Sequence, residues 1–155
     1  MRRFVLPLAV ILTFILTFVL AAALPAAAVE KQVLAAGQPV EGLPFSPAVR
    51  AGDLIFLSGQ IGNLPGKREL VPGGIGAETR QTLEGIQRTL AQAGSSLERA
   101  VKCTVFLADI AEYAAMNEVY RTFFPKDPPA RSTVAGSGLA LGARVEIECM
   151  ALASA

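Results

Sequence analysis

The sequence lacks histidine and tryptophan altogether and carries only two cysteines and two tyrosines in 155 residues. Without histidine there is no Ser-His-Asp or Cys-His nucleophile pair and no histidine-ligated metal. Cys103 and Cys149 lie far apart and form no C-x-x-C unit. Net charge is nearly absent as well, with 14 Lys and Arg against 13 Asp and Glu. No basic run stands out, so electrostatics gives no support for nucleic acid as a partner. Gly66-Lys67 is not a phosphate-binding loop, because the glycine spacing is short and Arg68 stands where Ser or Thr must hold magnesium.

One long hydrophobic run is present, at the N-terminus. Met1-Arg2-Arg3 forms a basic head, Phe4 to Leu24 is almost wholly apolar, and Ala26-Ala27-Ala28 offers small residues for a signal peptidase. Residues 1–28 therefore read as a signal peptide and 29–155 as one exported domain, periplasmic or secreted. The run is also long enough for an uncleaved membrane anchor, the alternative reading. About 127 residues then remain, enough to bury roughly two-thirds of the unfolded surface.

Along this domain, residues 29–45 read as a turn-rich lead-in, and 54–61 as a buried strand ending in small and polar residues. Residues 78–93 have Leu83, Ile86 and Leu90 on one helical face, with Gly94 as a stop. Residues 100–107 alternate, placing Val101, Cys103, Val105 and Leu107 on one side and Lys102, Thr104 and Phe106 on the other. Asp109 and Glu112 fit a capping box for a helix that shows Tyr113, Met116, Tyr120 and Phe123 as a core stripe and ends at Pro125. Strands at 131–135 and 144–151 complete an α+β sandwich with the helices on one sheet face. Cys103 and Cys149 pair only if their strands are neighbours in matching register; their apolar parity points to buried free thiols.

The C-terminal part carries the chemistry. Arg131 follows Pro128-Pro129-Ala130 at the head of one strand, and Glu146 and Glu148 lie along the next. A guanidinium grips a carboxylate through two parallel hydrogen bonds, and a glutamate in an apolar strand is a candidate water-activating base. The plainer alternative is an ion pair between Arg131 and Glu146 or Glu148 within the sheet.

Four segments in order resemble the RidA/YjgF family: Phe56-Leu57-Ser58-Gly59-Gln60-Ile61, Val101 to Leu107, Met116 to Tyr120 with Phe123-Phe124-Pro125, and Pro129-Ala130-Arg131-Ser132 with Val145-Glu146-Ile147-Glu148. The resemblance runs from about residue 43 to the C-terminus. It implies a chorismate-mutase-like fold, a homotrimer with sites between subunits, and hydrolysis of 2-imino acids to 2-keto acids and ammonia. It also implies that Arg131 binds the substrate carboxylate and Glu146 positions water, with Phe45, Ser58, Gly59, Asn117 and Thr133 lining the site and Glu148 left to an interface or to solvent. Imine hydrolysis needs orientation more than machinery, so neither metal nor cofactor is required.

Two positions depart from the family pattern. Phe45, in Pro44-Phe45-Ser46, stands where the family usually has tyrosine, keeping the ring but losing its hydroxyl. Thr133 stands where many deaminase members have cysteine. The expected partners are a small carboxylate-bearing imino acid and further copies of the chain, with membrane contact only if the N-terminal segment is retained. From another functional class, the alternative is a non-catalytic trimer that binds small carboxylates or acts as a chaperone.

Overall fold

The computed structural model describes residues 28–37, 42 and 44–154. The signal-segment expectation falls, but for Ala28, outside them. The described residues form one mixed sheet with two α-helices packed on one of its faces, an α+β fold as expected. The strands are β1 (Lys31–Leu34), β2 (Ala48–Ala51), β3 (Leu54–Leu57), β4 (Gln60–Ile61), β5 (Ala100–Leu107), β6 (Ala130–Ala135) and β7 (Val145–Leu152). The helices are α1 (Gly74–Gln92), between β4 and β5, and α2 (Tyr113–Phe123), between β5 and β6.

The sheet order is β1-β2-β3-β7-β5-β6, with β4 also on β7. Only β5 and β6 run parallel, joined by the α2 crossover; the remaining pairs are antiparallel. β6 is therefore an edge strand, and β5 separates it from β7.

The core lies between the sheet and the helices. Ile55, Cys103, Val105, Leu107, Val145, Ile147 and Ala151 meet Leu83, Ile86 and Leu90 of α1 and Met116 and Tyr120 of α2. These are the alternating and 3.6-period positions visible in the sequence. The alternation fails at Val101, which lies exposed at a bulge between Ala100 and Lys102. One extra residue there turns Val101 off the buried face.

Other expectations need correction. The lead-in contains β1, whose Lys-Gln-Val-Leu sequence has no amphipathic pattern and is held by its ladder to β2. α1 begins at Gly74 rather than Glu78, and Gly76 in its first turn brings the helix close to Val119 of α2. Asp109 does accept the Ala111 N–H, but Glu112 turns away to pair with Arg144, so no capping box forms. The 54–61 segment is two strands broken at Ser58-Gly59.

The cysteines are not free thiols. Cys103 and Cys149 stand directly opposite each other on β5 and β7 and form a disulfide. Their shared parity was legible, but only the inter-strand register brings them face to face. The bridge spans a sequence separation of 46, for which loop closure in the unfolded chain corresponds to about 4 kcal/mol. Replacing both cysteines by alanine is expected to lower the melting temperature by about 10–15 °C. An unchanged melting curve, read by circular dichroism, would remove the bridge from the account of stability.

Candidate active site

The seven candidate residues separate into two clusters. The first forms where β3 ends. The Ser58 N–H donates to the Pro47 carbonyl at 3.0 Å and its hydroxyl to the Ser46 carbonyl at 2.7 Å. Those bonds carry the chain away from β7 and fix the loop bearing Phe45, which is half exposed. Ser58 thus uses its proton structurally, which agrees with its lack of a base partner as a nucleophile.

At Gly59 the missing side chain is filled by a carboxylate. A Cβ built there would lie 1.9 Å from Glu146 Oε1, so the Glu146 head rests directly on the Gly59 backbone. Phe45, Ser58, Gly59, Ile61, Leu141 and Glu146 share a cleft of about 680 Å³, closed on one side by Gln81 and Arg88 of α1. That volume suits a small-molecule site. Partial burial raises the Glu146 carboxyl above its usual range, and the Glu148 charge adds to the effect. A carboxyl raised in this way holds a proton more readily than an exposed glutamate, which suits a group that takes one up and returns it.

Gly59→Ala is expected to displace the Glu146 head while preserving the fold, since the colliding atoms end a flexible side chain. Turnover should fall at least tenfold with an unchanged melting temperature. Equal activity in the variant would show that the close approach has no catalytic part.

The second cluster lies at the β6 edge. Arg131 pairs in register with Cys103 and so points to the helix side of the sheet. Its guanidinium carbon lies 4.5 Å from the Tyr120 ring centroid and 5.7 Å from that of Tyr113. Its Nη2 donates to the Tyr113 hydroxyl at 3.2 Å. Neither Glu146 nor Glu148 forms an ion pair with it among the described residues, which removes the plain in-sheet salt bridge. Thr133 lies two residues on along the same face, its hydroxyl buried without a hydrogen-bond partner. Asn117, one turn along α2, hydrogen-bonds the Tyr113 hydroxyl.

The clusters do not meet within one chain. Phe106 on β5 is in register with Glu146, and Cys103 with Arg131. Three residues along and two strands across separate the two positions by about 14 Å, with side chains on opposite faces. Tyr113 shares the helical spacing of the core stripe, yet it is 42% exposed and touches Arg131. Arg88 carried no motif, and only its place on the outer face of α1 brings it to the cleft.

Comparison with known proteins identifies the family. The Endoribonuclease L-PSP family pattern matches residues 35–153. Protein mmf2, mitochondrial, of Schizosaccharomyces pombe is 48% identical over 113 residues, covering 71% of this chain and 88% of that protein. The 2-iminobutanoate/2-iminopropanoate deaminase of Bos taurus is 39% identical over 127 residues, covering 82% and 93%. The crystal structure of yeast Mmf1 superposes with a TM-score of 0.75 at 31% identity, covering 81% of this chain and all of that one. With a match across nearly the whole domain, the chain belongs to the RidA/YjgF family, described as Endoribonuclease L-PSP.

Proposed function

We propose that this protein is an exported imine deaminase that hydrolyses 2-imino acids to 2-keto acids and ammonia, at sites completed between the subunits of a homotrimer. The observation that carries the reading is the division of the site. A carboxylate-binding arginine and a water-activating glutamate face opposite ways about 14 Å apart, so each is half of a site. A second copy brings the Arg131 edge of one subunit to the Glu146 cleft of the next. Phe56 and Met150, cross-strand neighbours on the uncovered sheet face, are exposed, as is Leu152, and these apolar side chains supply a surface for such packing.

In the assembled site Arg131 holds the substrate carboxylate and sets the imine carbon beside Glu146. The Glu146 carboxylate takes a proton from water as the water oxygen bonds to that carbon, and the C=N π electrons move to nitrogen. Glu146 then returns the proton to nitrogen. The hydroxyl proton then passes through Glu146 to the amino nitrogen, the C–N bond breaks as the carbonyl forms, and ammonia leaves. Phe45 provides an apolar wall without a hydrogen bond, which suits an aliphatic side chain on the substrate.

The buried Cys103–Cys149 bridge supports the exported location, since such bonds persist mainly in oxidising compartments. The Endoribonuclease description of the family finds less support in this chain, whose near-neutral charge and lack of histidine leave little for RNA binding or cleavage.

The test is ammonia release from freshly generated 2-iminobutanoate, with sedimentation of the same sample. Turnover by a trimer is expected. A folded protein that sediments as a monomer, or gives no rate above buffer, would overturn the reading.

A further inference from the structure

The Tyr113 hydroxyl has a free capacity that the reaction described above does not use. Tyr113 is the first residue of α2 and overhangs the β6 edge, so it stays exposed while Met116, one turn on, is fully buried. A phenol oxygen has two lone pairs and one proton. Here Arg131 Nη2 donates to the oxygen at 3.2 Å, and Asn117 hydrogen-bonds it from the next turn of the helix. With Arg131 as the donor to this oxygen, the phenolic proton can turn to a partner on the exposed side, next to the guanidinium.

We propose that Tyr113 is a substrate-binding residue of the imine deaminase, donating its phenolic O–H to the carboxylate that Arg131 grips. The inference rests on the deaminase reading and adds a donor to its anion clamp. The clamp then has three parts: the Tyr120 ring under the guanidinium, the guanidinium N–H groups toward the carboxylate, and the Tyr113 O–H from the side. A cation on the phenol oxygen polarises its O–H bond and makes it a stronger donor to an anion.

The titration of the residue follows the same contacts. The Asn117 hydrogen bond, then the Arg131 hydrogen bond and charge, hold the Tyr113 hydroxyl below the usual tyrosine range. Burial pushes Tyr120 up to about 12, against the opposing Arg131 charge. The charged group on Tyr113 from β6 is Arg131, while the neighbouring Glu112 is turned to Arg144. A carboxylate bound beside Tyr113 disfavours the phenolate, so ligand should raise its titration. In turn, ligand affinity should fall as pH rises through the Tyr113 titration.

The chain has two tyrosines and no tryptophan, so tyrosinate absorbance reads each hydroxyl without overlap from indole. The experiment is an absorbance titration of the full domain with and without 2-oxobutanoate, the keto acid product, in the native protein and in Tyr113→Phe. The lower of two titrations is expected to move upward with keto acid and to vanish in the variant. Tyr113→Phe should bind 2-oxobutanoate about tenfold more weakly, the cost of one hydrogen bond to a charged group. It should raise KM for the imino acid by a similar factor, change kcat less, lose the alkaline fall in affinity and keep its melting temperature. Equal keto acid binding by native and variant proteins, or a lower titration indifferent to ligand, would overturn the proposal. The deaminase reading is judged separately by ammonia release, which neither of those results would alter.

Discussion

Glu146→Gln is expected to lower kcat for 2-iminobutanoate by roughly 10²–10⁴-fold, the usual contribution of a positioned general base. Glutamine keeps the shape against Gly59 and the bulk in the cleft, so loss of rate reports loss of proton transfer rather than of packing. The native enzyme should show an acid limb. Its rate should rise with pH as Glu146 ionises, with a midpoint above the ordinary glutamate value of about 4.3, because burial and Glu148 hold the proton on.

The sign of the stability effect is opposite. A carboxyl whose pKa is raised on folding contributes stability below its unfolded pKa and loses it as pH rises through the folded value. At neutral pH Glu146 therefore opposes folding, and Glu146→Gln should melt no lower than the native protein at pH 7. Stopped-flow rates from pH 4 to 9, with melting curves on the same samples, test both parts. A variant with native kcat would end the assignment of Glu146 as the base.

Arg131→Ala is expected to reduce kcat/KM by roughly 10²–10³-fold, the cost of removing one partner of a hydrogen-bonded charge pair. The proposed trimer should survive, because the guanidinium packs on Tyr120 and Tyr113 at a partly exposed edge and fills no core position. The loss should be smaller for an amide analogue of the substrate, which lacks the anionic carboxylate. Sedimentation and kinetics on one preparation separate lost assembly from lost binding. Unimpaired turnover of the carboxylate substrate by a trimeric variant would remove Arg131 from the site.

The two substitutions act on residues fifteen positions apart in the sequence and on different strands, yet both were legible. Arg131 follows a diproline that sets the start of an edge strand, and Glu146 takes an outward position in the β7 alternation whose inward positions are Val145, Ile147 and Cys149. Tyr113 is the converse case. It matches the helical stripe of Met116 and Tyr120, and periodicity alone does not reveal that the first residue of α2 projects beyond the sheet.

Local pattern determined the two helices, the alternating strands β5 and β7, the family and the pair of charged residues, because each depends on neighbours within a few positions. Tertiary structure decided what depends on register and strand order. It joined Cys103 to Cys149, turned Val101 outward at a bulge and held the unpatterned β1 by its ladder to β2. It also set β5 between β6 and β7, which parts Arg131 from Glu146 on opposite faces. A register shift of one residue exchanges the faces of a whole strand without altering its composition or period, so the sequence pattern reads the same while the pairing is decided by the packed sheet.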